Sequence, residues 1–287
     1  MFIATSRPWK KFFHCCHLSL LLLPATGYGA GVPDDCTQLI VGIAPDWNST
    51  RGQLQRFERA PGGDWRPVAP PIPVLFGRKG VAWGSGLAGQ DESGLRKAER
   101  DGRAPAGLFR IGKIYTYDAQ LPAGSDYPFH QVTTADAWID DVNHPDYNRF
   151  LTIPDPANPP PWFAKQKMRH NDFAYRWLVE IRHNSDPPVA GAGSAIFFHI
   201  RRGVDRPSVG CTTMAESELV KLITWLRAPR RPCYVLLPAA EYDRKWRSWR
   251  LPAPGSEKAD RKRRAGLQLQ TNNLNCVVRQ KIHEKKS

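Results

Sequence analysis

The chain has 287 residues and a formal net charge of +14, from 41 Lys and Arg against 27 Asp and Glu. With 41% hydrophobic residues, including 10 Trp and 12 Phe, it carries ample apolar surface for a folded core, which excludes a wholly disordered chain. Six cysteines are present without paired CxxC or HxxxH spacing, which argues against structural zinc, and no metal or organic cofactor is expected.

The chain opens with a basic stretch, Arg7 to Lys11, followed by the short apolar run Leu18 to Leu23, with Gly27 and Gly29 placed at −3 and −1 before Ala30. This pattern reads as a signal peptide over residues 1–29, too short to span a bilayer. The expected product is exported to the periplasm or cell wall, with no integral membrane span after processing. Cys15 and Cys16 leave with the leader. If Cys211 stays a free thiol, Cys36, Cys233 and Cys276 permit one disulfide, and the sequence does not choose the pair.

Next come Leu39 to Ile43, an apolar run suited to a buried strand, and Gln53 to Glu58, which alternates as a half-exposed strand does. Val74–Gly77 and Val81–Gly84 read as a strand pair turning at Arg78-Lys79-Gly80. Leu95 to Arg103 mixes charges of both signs and reads as a solvated loop or short helical turn. Phe109 to Tyr115 resumes strand alternation. Between Leu121 and Pro161 the chain is rich in Pro, Asp and Asn, which suggests a lid or groove wall carrying Trp138, Tyr147 and Trp162, either to stack on substrate or to anchor a small core. Phe173 to Ile181 reads as one strand.

The apolar run Ala195 to Phe198 then delivers His199, and a short polar loop leads to Ser208-Val209-Gly210-Cys211. A strand holding an imidazole, followed by a turn that presents a thiol among backbone amides, is what a cysteine nucleophile with a general base requires. The candidate catalytic residues are therefore Cys211 and His199. Gly210 and Cys211 would lend backbone N–H groups to an oxyanion, and Ser208 either orients His199 or caps the turn. Arg202 and Arg206 are candidates for binding a substrate carboxylate. Met214 to Leu226 has Leu219, Leu222, Ile223 and Leu226 at helical spacing with Glu216 and Glu218 in the first turn; a helix N-terminus so near the cysteine should lower the thiol pKa. Cys233 to Leu237 is the last expected strand.

The block from His199 to Cys211 resembles the signature of the L,D-transpeptidase catalytic-domain (YkuD-like) family of bacterial cell-wall enzymes. Arg103 to Phe109 resembles the Pro-x-Gly-x-Phe segment of such domains, and Ala137 to Asp141 with Tyr147-Asn148 resembles a second block of one subfamily. The likeness runs from about Leu39 to about Leu237. One place departs from it: many members carry Arg two residues after the cysteine, where this chain has Thr213. The resemblance implies a mainly β fold with a few helices, an L,D-transpeptidase-like β-sandwich or β-barrel catalytic domain, here over residues 30–240. It also implies peptidoglycan stem peptides as substrate, cross-linked through a cysteine thioester; the candidate for stacking on that substrate from the loop aromatics is Trp138. Stem-peptide trimming as an L,D-carboxypeptidase, or non-catalytic wall binding, are the alternatives.

Residues 241–287 read as a basic, partly disordered C-terminal tail drawn to anionic cell-envelope polymers. Its run Arg261 to Arg264 lacks interleaved aromatics, so no nucleic-acid partner is expected.

Overall fold

The computed structural model describes residues 31–255; the leader, Cys276 and most of the basic tail lie outside them. In chain order the strands are β1 (Gln38–Ala44), β2 (Arg51–Glu58), β3 (Arg66–Pro67), β4 (Ile72–Leu75), β5 (Val81–Trp83), β6 (Ala104–Thr116), β7 (Phe129–Gln131), β8 (Asp136–Trp138), β9 (Phe150–Thr152), β10 (Trp177–Ile181), β11 (Phe197–Ile200), β12 (Thr212–Met214) and β13 (Cys233–Pro238). The helices are α1 (Phe163–Gln166), α2 (Glu216–Trp225) and α3 (Ala239–Lys245).

Strands pair in the order β1-β13-β6-β10-β11-β12-β4-β2, and β2 returns to β1, closing a β-barrel. Closure removes the free edges on which an open sheet would associate. The 13-residue β6 is the longest strand; it pairs with β13, β10, β5 and β7. The expected mainly β architecture with few helices is therefore present.

Two expected strands are arranged differently. β4 and β5 do flank a tight turn, in which Gly80 N–H donates to Gly77 C=O at 2.8 Å. Gly80 has φ +86°, and a Cβ there would lie 2.2 Å from Trp47 O, so only glycine fits. Yet β4 pairs with β2 and β12, while β5 pairs with β6. The strand expected from Phe173 begins only at Trp177. Asp172 Oδ1 accepts the Ala174 N–H at 2.9 Å and starts a 3-10 turn over Phe173–Tyr175 instead.

The main core gathers Leu39, Leu54, Phe76, Leu108, Phe109, Phe198 and Tyr234 with Leu219, Leu222 and Ile223 of α2. The helical spacing of those three residues is what the sequence displays, and their burial holds α2 in place. Packing continues past residue 240: Tyr242, Trp249 and Leu251 are buried, and Val32 N–H donates to Trp249 C=O at 2.9 Å. Among the described residues no helix is long and apolar enough to cross a membrane. Cys36 and Cys233 are buried free thiols that influence each other's titration, so of the three cysteines considered for a disulfide these two are neighbours.

Candidate active site

Strand geometry decides which side chains of β11 and β12 meet. The two strands run parallel, with Phe198 opposite Thr212 and His199 opposite Thr213. Alternation sends Phe198, Ile200, Thr212 and Met214 toward the main core, where Thr212 Oγ1 meets Tyr234 Oη at 3.0 Å. Phe197, His199, Cys211 and Thr213 take the other face. There a second cluster, built from Tyr115, Leu178, Phe197, Trp138, Phe150 and Tyr175, packs beside the cysteine.

The loop joining the two strands is pinned by backbone pairing. Ser208 N–H donates to Phe76 C=O at 2.9 Å and Arg78 N–H donates to Ser208 C=O at 2.7 Å. Ser208 Oγ accepts Gly210 N–H at 3.0 Å and donates to Cys211 C=O at 2.5 Å. Ser208 thus caps the turn and does not orient His199. The Gly210 amide is already satisfied, so at rest the Cys211 amide is the one of the expected pair left for an oxyanion.

Cys211 Sγ accepts the Phe197 N–H at 3.4 Å and donates to Ala195 C=O at 3.5 Å. Ala195 has φ +54°, a left-handed conformation that costs a residue with Cβ on the order of 1–2 kcal/mol. Its amide is held by Asn148 Oδ1 at 3.0 Å, and the same oxygen accepts Trp138 Nε1–H. Asn148 Nδ2 donates to the carbonyls of His183 and Asn184, which fixes the amide from the other end. One buried asparagine therefore sets both the carbonyl under the thiol and the indole above it.

Cys211, Trp138, Lys97, Glu99 and Tyr175 line a cavity of about 490 Å³. Burial pushes the thiol up to about 11, against lowering by the Phe197 amide and the charges of Lys97 and Arg202. The expected lowering by the helix does not occur. β12 intervenes, α2 starts only at Glu216, and a macrodipole fades within about one turn.

His199 is buried, and its Nδ1–H donates to the carbonyl of Ile200 at 2.9 Å. Burial drives its pKa down to about 4, although carbonyls at Ile200 and Ala174 favour the charged form. The Tyr175 ring stands edge-on to the imidazole at 5.2 Å, and Arg202 lies over that ring at 4.8 Å while pairing with Asp172. His199, Arg78, Arg202, Arg206, Ser208 and Thr213 line a second cavity of about 400 Å³. Arg78 borders both cavities. Among the described residues no hydrogen bond joins His199 to Cys211; the resting pair is a neutral thiol and a neutral imidazole on one face of neighbouring strands.

Several contributors lie outside the expected set. Lys97 sits in a stretch that reads as solvated, yet it is buried and bonded to Asp101 Oδ1 and Ala98 C=O, each at 2.6 Å. Its only trace in the sequence is the Lys97/Asp101 spacing of four. Glu99 accepts the hydroxyls of Ser194, at 2.7 Å, and Tyr147. Tyr147 and Trp162 are used in packing: Tyr147 is buried, and Trp162 makes edge contacts with Phe163 and His144 beside a small core of its own. Trp138 packs against Phe197, ring centroids 4.9 Å apart, and also lines the cavity. Among the described residues no group of three or more His, Cys, Asp and Glu side chains is placed to hold a metal ion.

Compared with known proteins, the chain matches no family model and no curated protein.

Proposed function

We propose that the protein is a cysteine acyltransferase of the bacterial cell wall, an L,D-transpeptidase that cross-links peptidoglycan stem peptides. The observation that carries this reading is the placement of Cys211 and His199 on one face of adjacent parallel strands, each opening to its own cavity, with Arg78 between the two.

In this reading a stem peptide enters the Cys211 cavity and displaces the thiol from the Ala195 carbonyl. The thiol proton passes to His199 as sulfur attacks the peptide carbonyl. A neutral imidazole is the competent form for that step, and its burial keeps it neutral. The Cys211 amide stabilises the oxyanion, the C–N bond breaks, and His199 gives its proton to the leaving amine, leaving a thioester. An acceptor amine then attacks the thioester, forming C–N as C–S breaks, with the amine's proton returned through His199 to sulfur. Water in place of the amine makes the reaction a carboxypeptidation. Export to the cell envelope, and attraction of the strongly basic chain to its anionic polymers, complete the proposal.

A non-catalytic wall-binding role is the second reading, favoured by one observation: the thiol's hydrogen bonds go to backbone groups of Ala195 and Phe197. Intact-protein mass spectrometry with purified disaccharide stem peptides separates the two. A covalent adduct and a cross-linked dimer, both lost in Cys211→Ala, are expected of the transferase. A trimmed monomer alone points to carboxypeptidase, and binding without any adduct removes the enzyme reading.

A further inference from the structure

The cavity on the His199 side has a chemical character of its own. Of the charges around it, Arg202 is paired with Asp172 and Asp205 with Arg51. Arg78 and Arg206, by contrast, make no side-chain hydrogen bond or ion pair among the described residues. At the cavity wall Thr213 is 1% exposed, and its Oγ1 is buried without a hydrogen-bond partner. A buried hydroxyl left unpaired has lost its hydration without compensation, a loss that a ligand oxygen would recover. Two uncompensated guanidiniums and one waiting hydroxyl ask for an anion.

We infer that this cavity is a carboxylate-binding subsite in which Thr213 Oγ1 and the Arg78 and Arg206 guanidiniums hold the free carboxylate of a peptide whose amine is delivered toward His199. A carboxylate suits it because its two oxygens match a guanidinium fork and leave one lone pair for the threonine hydroxyl. The assignment of that peptide as the acyl acceptor rests on the transferase reading; the anion subsite itself rests on the cavity. Its position explains how the chain manages with Thr213: the positive charge stands on the loops at 78 and 206, and the strand supplies a neutral donor.

The test uses Cys211→Ala protein, so that no thioester forms, titrated calorimetrically with an amine-bearing dipeptide carrying a free C-terminal carboxylate and with its C-terminal carboxamide. The acid is expected to bind about tenfold or more tightly than the amide. Thr213→Val and, separately, Arg206→Gln should each remove most of that preference while leaving the amide's affinity unchanged. Equal binding of acid and amide, no measurable binding of the acid, or a preference untouched by both substitutions would overturn the subsite. So would inorganic phosphate displacing the acid at lower concentration than acetate does, since that assigns the cavity to phosphate. Arg206 is exposed, so its variant keeps the test decisive if Thr213→Val fails to fold. In parallel, wild-type protein is assayed for a Cys211 adduct with stem peptide. Acid preference without an adduct would end the transferase reading and leave the subsite standing.

Discussion

Two kinds of free thiol occur among the described residues of this barrel. Cys233, on β13, lies against Cys36, with the Arg110 guanidinium 3.6 Å from its sulfur. Cys211 has backbone groups for partners and an open cavity in front. Burial raises the pKa of Cys211 and Cys233 alike, whereas the neighbouring Cys233 thiol lowers that of Cys36. Desolvation therefore does not mark a nucleophile. What separates the two places is room for a reactant: Cys211 is partly exposed into its cavity, and the other two sulfurs face protein on all sides.

The sharpest way to break that contrast is to exchange the thiols' fates. Cys211→Ala should abolish adduct formation with stem peptide, a loss of about a thousandfold or more, whereas Cys233→Ala should leave it within about threefold, both read by intact mass. An adduct retained in Cys211→Ala would make the cavity irrelevant. Next in size is the response to alkali. A thiol whose folded pKa lies near 11, above its unfolded value, adds stability that is complete below about pH 9 and is lost as pH rises through 11. For Cys211 this amounts to on the order of 3 kcal/mol. Wild type should therefore lose its advantage over Cys211→Ala in urea melts between those pH values, and alkylation of Cys211 should quicken about tenfold per pH unit over the same range.

A smaller effect is expected from oxidation. With oxidised glutathione as the disulfide donor, Cys36 and Cys233 should link, lowering the mass by about 2 Da and raising stability by about 2–4 kcal/mol, while Cys211 remains open to alkylation. Non-reducing peptide mapping checks the pair, and a link to Cys211 would contradict it. The mildest change is Ser208→Ala. It frees the Gly210 amide and loosens the turn, with an expected loss of about 1 kcal/mol in stability and a fewfold fall in adduct rate.

The parts of this arrangement visible in the sequence are those that depend on local periodicity. The apolar run Ala195 to Phe198 indicates the strand, and the spacing of Leu219, Leu222 and Ile223 indicates α2. Parity alone then puts His199 and Cys211 on a common face once their strands are neighbours. What the sequence hides depends on partners far away. Lys97 looks solvated because the residues around it are charged; the spacing to Asp101 is visible, but only the fold buries the lysine and sets Cys211 near it. The same distance hides the choice of β2 over β5 as the partner of β4. The effect of α2 on the thiol failed for a different reason: three residues of β12, invisible as a strand within a Thr-Thr-Met stretch, stand between them. Asn148 gives no sign that its one oxygen serves both Trp138 and Ala195.

The barrel's seam is made by β1 and β13, which lie side by side in parallel and bring Val32 against Trp249. During synthesis, then, the first strand has no partner on that side until nearly 240 residues have been made. A ring sealed by its latest strand has high contact order and folds slowly, so the nascent chain stays open until its end emerges. Only then are β11 and β12 held in a finished wall, and Cys211 meets its cavity as a late event in the life of each molecule.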